Sequence, residues 1–414
     1  MPIQLSVITF TEQDDFVGLS EEGEIRNVFA NSLAGNDVII GNSENSYIDN
    51  SIFNNGKNIS GVYNSGPLNT GDGNDLISGT GEPTDLVFGS LQNTISGIRN
   101  IGTLNTGDGN DTILGLRVYK TDETLSNDVF GYGIYNQEGT IATGNGDDII
   151  TGISEVLKTK GICIDTRNGH SDENKASINA GNGNDIITGI GKLYGIGIYS
   201  TDKHNGASID TGNDNDTITG IGEYCGIDIG STSGIDTRNG DDIITGKGSI
   251  GINLIFSSSY INTGDGNDTI TSTGMNNRGT INTGDGDDDI SSEFITNSGI
   301  IDTGNGNDSL ISDGGFSGNW GFKDKGDIFL GDGTDYLKGF GNGRFNGQDG
   351  EDTLELTSGS YTIEILENAV NFTLNIEPYQ TPVTMKTFEF EKLIAGSTIY
   401  DFTSLTAGQV IVVA

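Results

Sequence analysis

Apolar residues recur along this chain at alternate positions in short runs, and no stretch carries a sustained helical stripe. The runs follow one repeated string: NTGDGNDLI at 69–77, NTGDGNDTI at 105–113, ATGNGDDII at 142–150, NAGNGNDII at 179–187 and DTGNDNDTI at 210–218. It continues as DTRNGDDII at 236–244, NTGDGNDTI at 262–270, NTGDGDDDI at 282–290 and DTGNGNDSL at 302–310, with weaker copies at 35–41, 331–339 and 347–356. The last aspartate of each copy sets the register: Asp37, Asp75, Asp111, Asp148, Asp185, Asp216, Asp242, Asp268, Asp288, Asp308, Asp335 and Asp352. The steps between them run from 38 residues down to 17. A constant motif with a variable remainder marks a solenoid with insertions in its loops.

The shortest period, 279–298 (GTINTGDGDDDISSEFITNS), predicts the minimal coil: a strand with one inward Ile, a tight corner, and a second such strand. Longer copies add a third Gly-Ile strand, as in YGIYN (132–136), KGICID (160–165) and CGIDIG (225–230). Gly alternating with Asn or Asp writes a sharp corner, because Gly adopts positive φ freely and Asn and Asp tolerate it. The expected fold is all-β: a right-handed parallel β-helix or β-solenoid at 35–356, an N-terminal cap at 1–34 and a small C-terminal β cap at 357–414. Residues 20–32 are the one segment that reads as a short helical turn. About a dozen coils at a spacing of about 4.8 Å would form a rod roughly 60 Å long, with an Ile core, a Thr row and an Asn/Asp row.

Composition narrows the function. Lys and Arg number 20 against 59 Asp and Glu, a formal net charge of −39, which excludes a nucleic-acid binder. No apolar run is long enough for a membrane span. The N-terminus carries no secretory-signal pattern. Cys163 and Cys225 lie two repeats apart, too far for a disulfide, and are expected as free, mostly buried thiols.

Stacking also piles the motif aspartates. Carboxylates about 5 Å apart repel by roughly 1 kcal/mol in water and about 3 kcal/mol at an effective dielectric near 20. The side chains must splay into water, or a cation must sit between them. The available ligands are all oxygen (Asp carboxylates, Asn amides, turn carbonyls), a set that suits Ca²⁺. Zinc would want Cys or His, and the chain has two of each. No window fits an EF-hand. The competing expectation is a structural Asn/Asp ladder without metal.

The G-D-G-N-D-x-I-x string resembles the nonapeptide of the hemolysin-type, or RTX, calcium-binding repeat proteins over about 35–356. The resemblance implies Ca²⁺ clasped between adjacent turns. Its ligands would be Asp75, Asp111, Asp148, Asp185, Asp216, Asp242, Asp268, Asp288, Asp308, Asp335 and Asp352. The position three residues earlier would join them: Asp72, Asp108, Asn145, Asn182, Asp265, Asp285, Asn305 and Asp332. The sequence departs from the pattern in three ways. The first motif position is mostly Thr, Asp214 and Arg238 replace motif glycines, and the motifs come one per coil. These departures predict a β-helix with one ion column. The resemblance extends to the C-terminal segment, which is similar to the uncleaved export region of type I secretion substrates. It implies a secreted or cell-surface protein that folds on meeting extracellular Ca²⁺.

Candidate catalytic groups are few. His170, His204 and Trp320 lie in irregular loops, and the insertions at 117–130, 155–175 and 200–207 all map to one corner. The leading expectation is therefore a secreted calcium-binding structural or surface-interaction protein. Its partners would be an extracellular polysaccharide or a cell-surface protein. The alternatives are a polysaccharide-active lyase or epimerase on the same scaffold, and a crystal- or ice-binding face built from Thr rows.

Overall fold

The computed structural model describes residues 3–4, 13, 15–18, 25–27, 30–31, 34–43, 47–48, 57–82, 93–118, 129–156, 158–166, 175–200, 206–317, 326–374 and 382–414. It is a parallel β-solenoid in which each coil gives one strand to each of three long sheets. Sheet 1 takes the strand before the motif corner, sheet 2 the strand after it, and sheet 3 closes the coil. One coil shows the scheme: Thr280–Asn282 in sheet 1, Asp289–Ser292 in sheet 2, Ile295–Asn297 in sheet 3, then Ile300–Asp302 back in sheet 1. Even the 20-residue coils therefore carry a third strand, where the sequence reading allowed two.

Alternation decides which side chains enter. Ile281, Ile290 and Ile295 are fully buried, one from each sheet. Parallel pairing places each directly over its equivalent in the next coil, as with Ile281 over Ile301 and Ile290 over Leu310. The core is thus a continuous column of β-branched side chains (Ile77, Ile113, Ile150, Ile187, Ile218, Ile244, Ile270) facing a second one from sheet 3.

Sheets 2 and 3 approach each other at a waist of glycines. A Cβ on Gly189 would lie 2.5 Å from the Gly195 carbonyl oxygen and 2.5 Å from Ile196 Cγ1. The same pairing recurs as Gly152 with Gly161 and Gly220 with Gly226. These glycines serve close approach rather than turn formation, since none of them has positive φ.

Three expectations are corrected. In the 20–32 segment, Ile25–Asn27 and Ala30–Asn31 are strands that join sheets 3 and 1, and the rest of it lies outside the described residues. The solenoid therefore starts before residue 35. It also runs past 356: Val383–Phe388 stacks parallel on Gly343–Asn346, and Lys392–Ala395 on Thr353–Leu356. The antiparallel hairpin Gly359–Leu366 with Ala369–Leu374, joined by Val410–Val413, completes the cap. Its aromatic core includes Phe340 against Tyr361 at 4.7 Å and Phe372 against Phe402 at 5.9 Å. Finally, the insertions do not share one junction: the strands flanking 118–128 belong to sheets 2 and 3, and those flanking 166–176 and 200–207 to sheets 3 and 1, while 119–128, 167–174 and 201–205 lie outside the described residues.

The waist gives a test. Gly189→Ala puts a methyl against backbone and should cost about 1–3 kcal/mol by overpacking. Thr188→Ala, next to it but facing outward, should stay within about 0.5 kcal/mol. Urea unfolding of the two variants measures the difference.

Candidate functional site: the aspartate corner

Each motif bends the chain from sheet 1 into sheet 2. The two motif glycines take φ values such as +94° and +139° at Gly264 and Gly266. Where the sequence substitutes them, Asp214 and Arg238 still hold φ of +81° and +68°. Arg238 is tied there by its guanidinium, which donates from Nε to Asp210 at 2.8 Å and pairs with the same carboxylate through Nη2.

The corner sorts its Asx residues into an inner and two outer columns. The inner column is the register aspartate, and all twelve copies are Asp. Every one is buried, at 2% exposure or less. Its Oδ1 accepts the main-chain N–H of the equivalent aspartate one coil earlier, at 2.7–3.0 Å, from Asp37–Asp75 through Asp335–Asp352. Asp15 N–H donates to Asp37 at one end, and Glu391 accepts from Asp352 N–H at the other. The carboxylates do not splay into water. They run through the protein as an unbroken ladder.

The second oxygen is the unusual atom. Oδ2 of Asp75, Asp111, Asp148, Asp185, Asp216, Asp242, Asp268, Asp288, Asp308, Asp335 and Asp352 is buried without a hydrogen-bond partner. Most corner threonines donate to the next coil's carbonyl, as in Thr143 to Ala180 at 3.0 Å and Thr283 to Thr303 at 3.0 Å, whereas Thr211 Oγ1 makes no such bond.

Burial is the largest influence on these carboxyls and raises them all. Asp75, Asp111, Asp148, Asp242, Asp308 and Asp352 move to about 6, and Asp216, Asp288 and Asp335 to about 7. Asp268 also rises. Threonines 70, 106, 143, 211 and 237 offset part of this in their own corners. Asp185 stands highest, at about 8, in the corner where Ala180 replaces the threonine.

The outer columns face solvent. One contains Asp72, Asp108, Asn145, Asn182, Asn213, Asn239, Asp265, Asp285, Asn305 and Asp332, which are exposed except for half-buried Asn213 and linked coil to coil by parallel bridges from Asn145 onward. Amide-to-oxygen bonds of 2.6–2.7 Å join its middle members, as in Asn182 to Asn145 and Asn213 to Asn182. The other runs Asn110, Asp147, Asn184, Asn215, Asp241, Asn267, Asp287 and Asn307. There each side-chain oxygen accepts the N–H of the following coil at 2.7–3.1 Å. The sequence reading grouped the inner residues with those three positions earlier. The structure places them on opposite sides of the backbone, one set buried and one exposed. Among the described residues no three acidic, His or Cys side chains converge on one point.

These donors bear on the calcium expectation. The inner column fits a hard cation in chemistry: one unpartnered carboxylate oxygen per coil, beside corner hydroxyls and carbonyls. Two carboxylates at most would share an ion, so main-chain carbonyls and water would supply the rest of its shell.

Chemistry that breaks the repeat gathers on the outside of sheet 3. Tyr63, Arg99, Tyr135, Cys163, Gly197, Asp228 and Asn253 occupy one register column. Tyr199 donates to Asp228 Oδ2 at 2.7 Å, and Asn253 donates to Oδ1 at 2.6 Å. Lys160 Nζ lies 3.8 Å from the Tyr199 ring centre and 3.8 Å from Cys163 Sγ. Burial holds the Tyr199 hydroxyl well above its ordinary value. These groups saturate one another and form a structural plug. Buried amide ladders such as Asn64–Asn100–Asn136, at 2.7 and 2.8 Å, also escaped the sequence reading. Their signal was an Asn near the end of five sheet 3 strands (Asn64, Asn100, Asn136, Asn277 and Asn297), with Ile164, Ile198, Ile229 and Leu254 at that position in the coils between. Cys163 and Cys225 are buried thiols. His170, His204 and Trp320 lie outside the described residues.

Compared with known proteins, the chain matches no family model. No curated protein emerges as a relative.

The ladder predicts two results. Asp216→Ala strands the buried Asp185 N–H and should destabilise by about 1–3 kcal/mol, whereas Asp216→Asn keeps an acceptor and should cost less. In the unfolded chain these carboxyls titrate near 3.8, and in the folded chain at about 6 to 8. The folded state therefore binds more protons between those limits. The stabilisation is full below about 3.8 and is lost as pH rises through 6 to 8. Thermal melts in EDTA should show Tm falling over that range, and a flat or rising profile would contradict the ladder.

Proposed function

We propose that this chain is a calcium-stabilised structural rod, exported to the cell exterior or surface, with no catalytic task. One observation carries the reading. A ladder that only needed to accept an N–H could use Asn, as the outer columns do, yet the inner position is Asp in all twelve copies. Only Asp offers a second oxygen that can hold a proton or bind a cation. Asp75, Asp111, Asp148, Asp185, Asp216, Asp242, Asp268, Asp288, Asp308, Asp335 and Asp352 would hold Ca²⁺, and the ion would supply the positive charge the buried column lacks.

Calcium would thereby couple to folding. At low Ca²⁺ and neutral pH the column opposes folding, and millimolar Ca²⁺ reverses this. That dependence suits a chain translocated unfolded from a calcium-poor compartment. The exposed Asx columns would present a regular surface to a polysaccharide or a surface protein. The plugged cluster around Lys160 and Tyr199 gives no support to the polysaccharide-active alternative.

A site held at 100 times its Kd adds about 2.7 kcal/mol. Several filled sites should therefore raise Tm by roughly 10 °C or more at pH 8. Differential scanning calorimetry in EDTA and then in Ca²⁺, with a bound-metal ratio after dialysis, tests this. No bound Ca²⁺ and an unchanged Tm would leave the metal-free ladder.

A further inference from the structure

We infer that the outward face of sheet 2 is a self-association surface, and that two copies of this chain pack there about a two-fold axis. The face is built by eight parallel strands in register, from Val38–Ser43 to Thr269–Ser272. Their outward positions are Ile, Leu, Val, Thr, Ser and Asn, and the single charge is Lys247 at the edge. On a chain of net charge −39 such a face is exceptional. Ile149, Ile186, Ile221 and Ile243 stand on it at 36–44% exposure. Beyond it, Asp289 takes the position held by Thr269 one coil earlier and ends the uncharged area.

Size and charge argue for a second copy as the occupant. Eight strands at about 4.8 Å and five residues at about 3.3 Å make a face of roughly 38 by 17 Å. Two such faces bury about 1,300 Å² in total, within the range of specific interfaces. Carboxylates stand elsewhere: the outer Asx columns run along the corner that sheets 1 and 2 share, at the edge of this face, and Asp and Glu reappear on sheet 2 toward the C-terminal end. Two copies meeting through those surfaces would set carboxylates against one another, while the strands of this face carry none. It is also self-complementary. Ile149 and Ile186 are neighbours in register midway along the row of strands, at the strand ends next to the corner, so a two-fold axis running parallel to these two strands and between them sets Ile against Ile and matches the face along its length.

The test is the mass of the full chain in solution, by light scattering after size exclusion at about 50 µM and physiological salt. The wild type should run at twice the mass of one chain in both Ca²⁺ and EDTA, provided it is folded by circular dichroism. The double variant Ile149→Asp, Ile186→Asp places four carboxylates about the axis and should be monomeric. Its fold should survive, because Asp289 already occupies the equivalent outward position. A folded wild-type monomer overturns the proposal, and so does a double variant that stays dimeric. Thermal hysteresis from a monomeric wild type would instead assign the face to ice, and would also overturn it.

Discussion

A buried carboxylate needs something for each of its oxygens, and the whole solenoid is organised around one oxygen that has a partner and one that lacks it. Oδ1 of each register aspartate takes the N–H of the previous coil and fixes the vertical spacing and register at the corner. The outer column bonds in the opposite chain direction. Each corner is therefore held from both sides, once by a side chain reaching back and once by a side chain reaching forward. Oδ2 remains, and burial raises its carboxyl toward neutrality. A proton or a cation satisfies it, and the two compete for the same atom.

The rest of the fold protects that arrangement. The Ile columns exclude water from inside the corner, and the glycine waist brings sheets 2 and 3 close enough to leave no channel. The corner threonines offset part of the burial where they are present. The C-terminal cap ends the column with Glu391, so the last aspartate N–H is not left unpaired.

Much of this was legible in the sequence. The Asp register and the inward Ile could be read because each copy repeats them at a fixed offset, and parallel stacking turns a fixed offset into a column. Other features needed three dimensions. Strands such as Met275–Asn277 and Ile295–Asn297 carry one apolar residue each in a short run, below what alternation can reveal. The segment around Ile25 spaces its apolar residues ambiguously, and pairing with Lys57–Asn64 decides for strand. The Gly-Ile strings read as a third strand, but the need for glycine at 189 and 195 comes from a neighbouring backbone that no linear pattern shows. The difference between Asp72 and Asp75, one exposed and one buried, likewise shows only in three dimensions, because the turn between them runs through Gly73 at positive φ.

A proton count tests the central claim most directly. If proton and cation share Oδ2, adding Ca²⁺ to folded protein near pH 6 must release protons. Calorimetric titration in two buffers of different ionisation enthalpy reads this number. The corner described here predicts clear release near pH 6, shrinking toward zero well above pH 8, with Asp185→Asn releasing fewer. Calcium binding without proton release near pH 6, or release unchanged across that range, would contradict it.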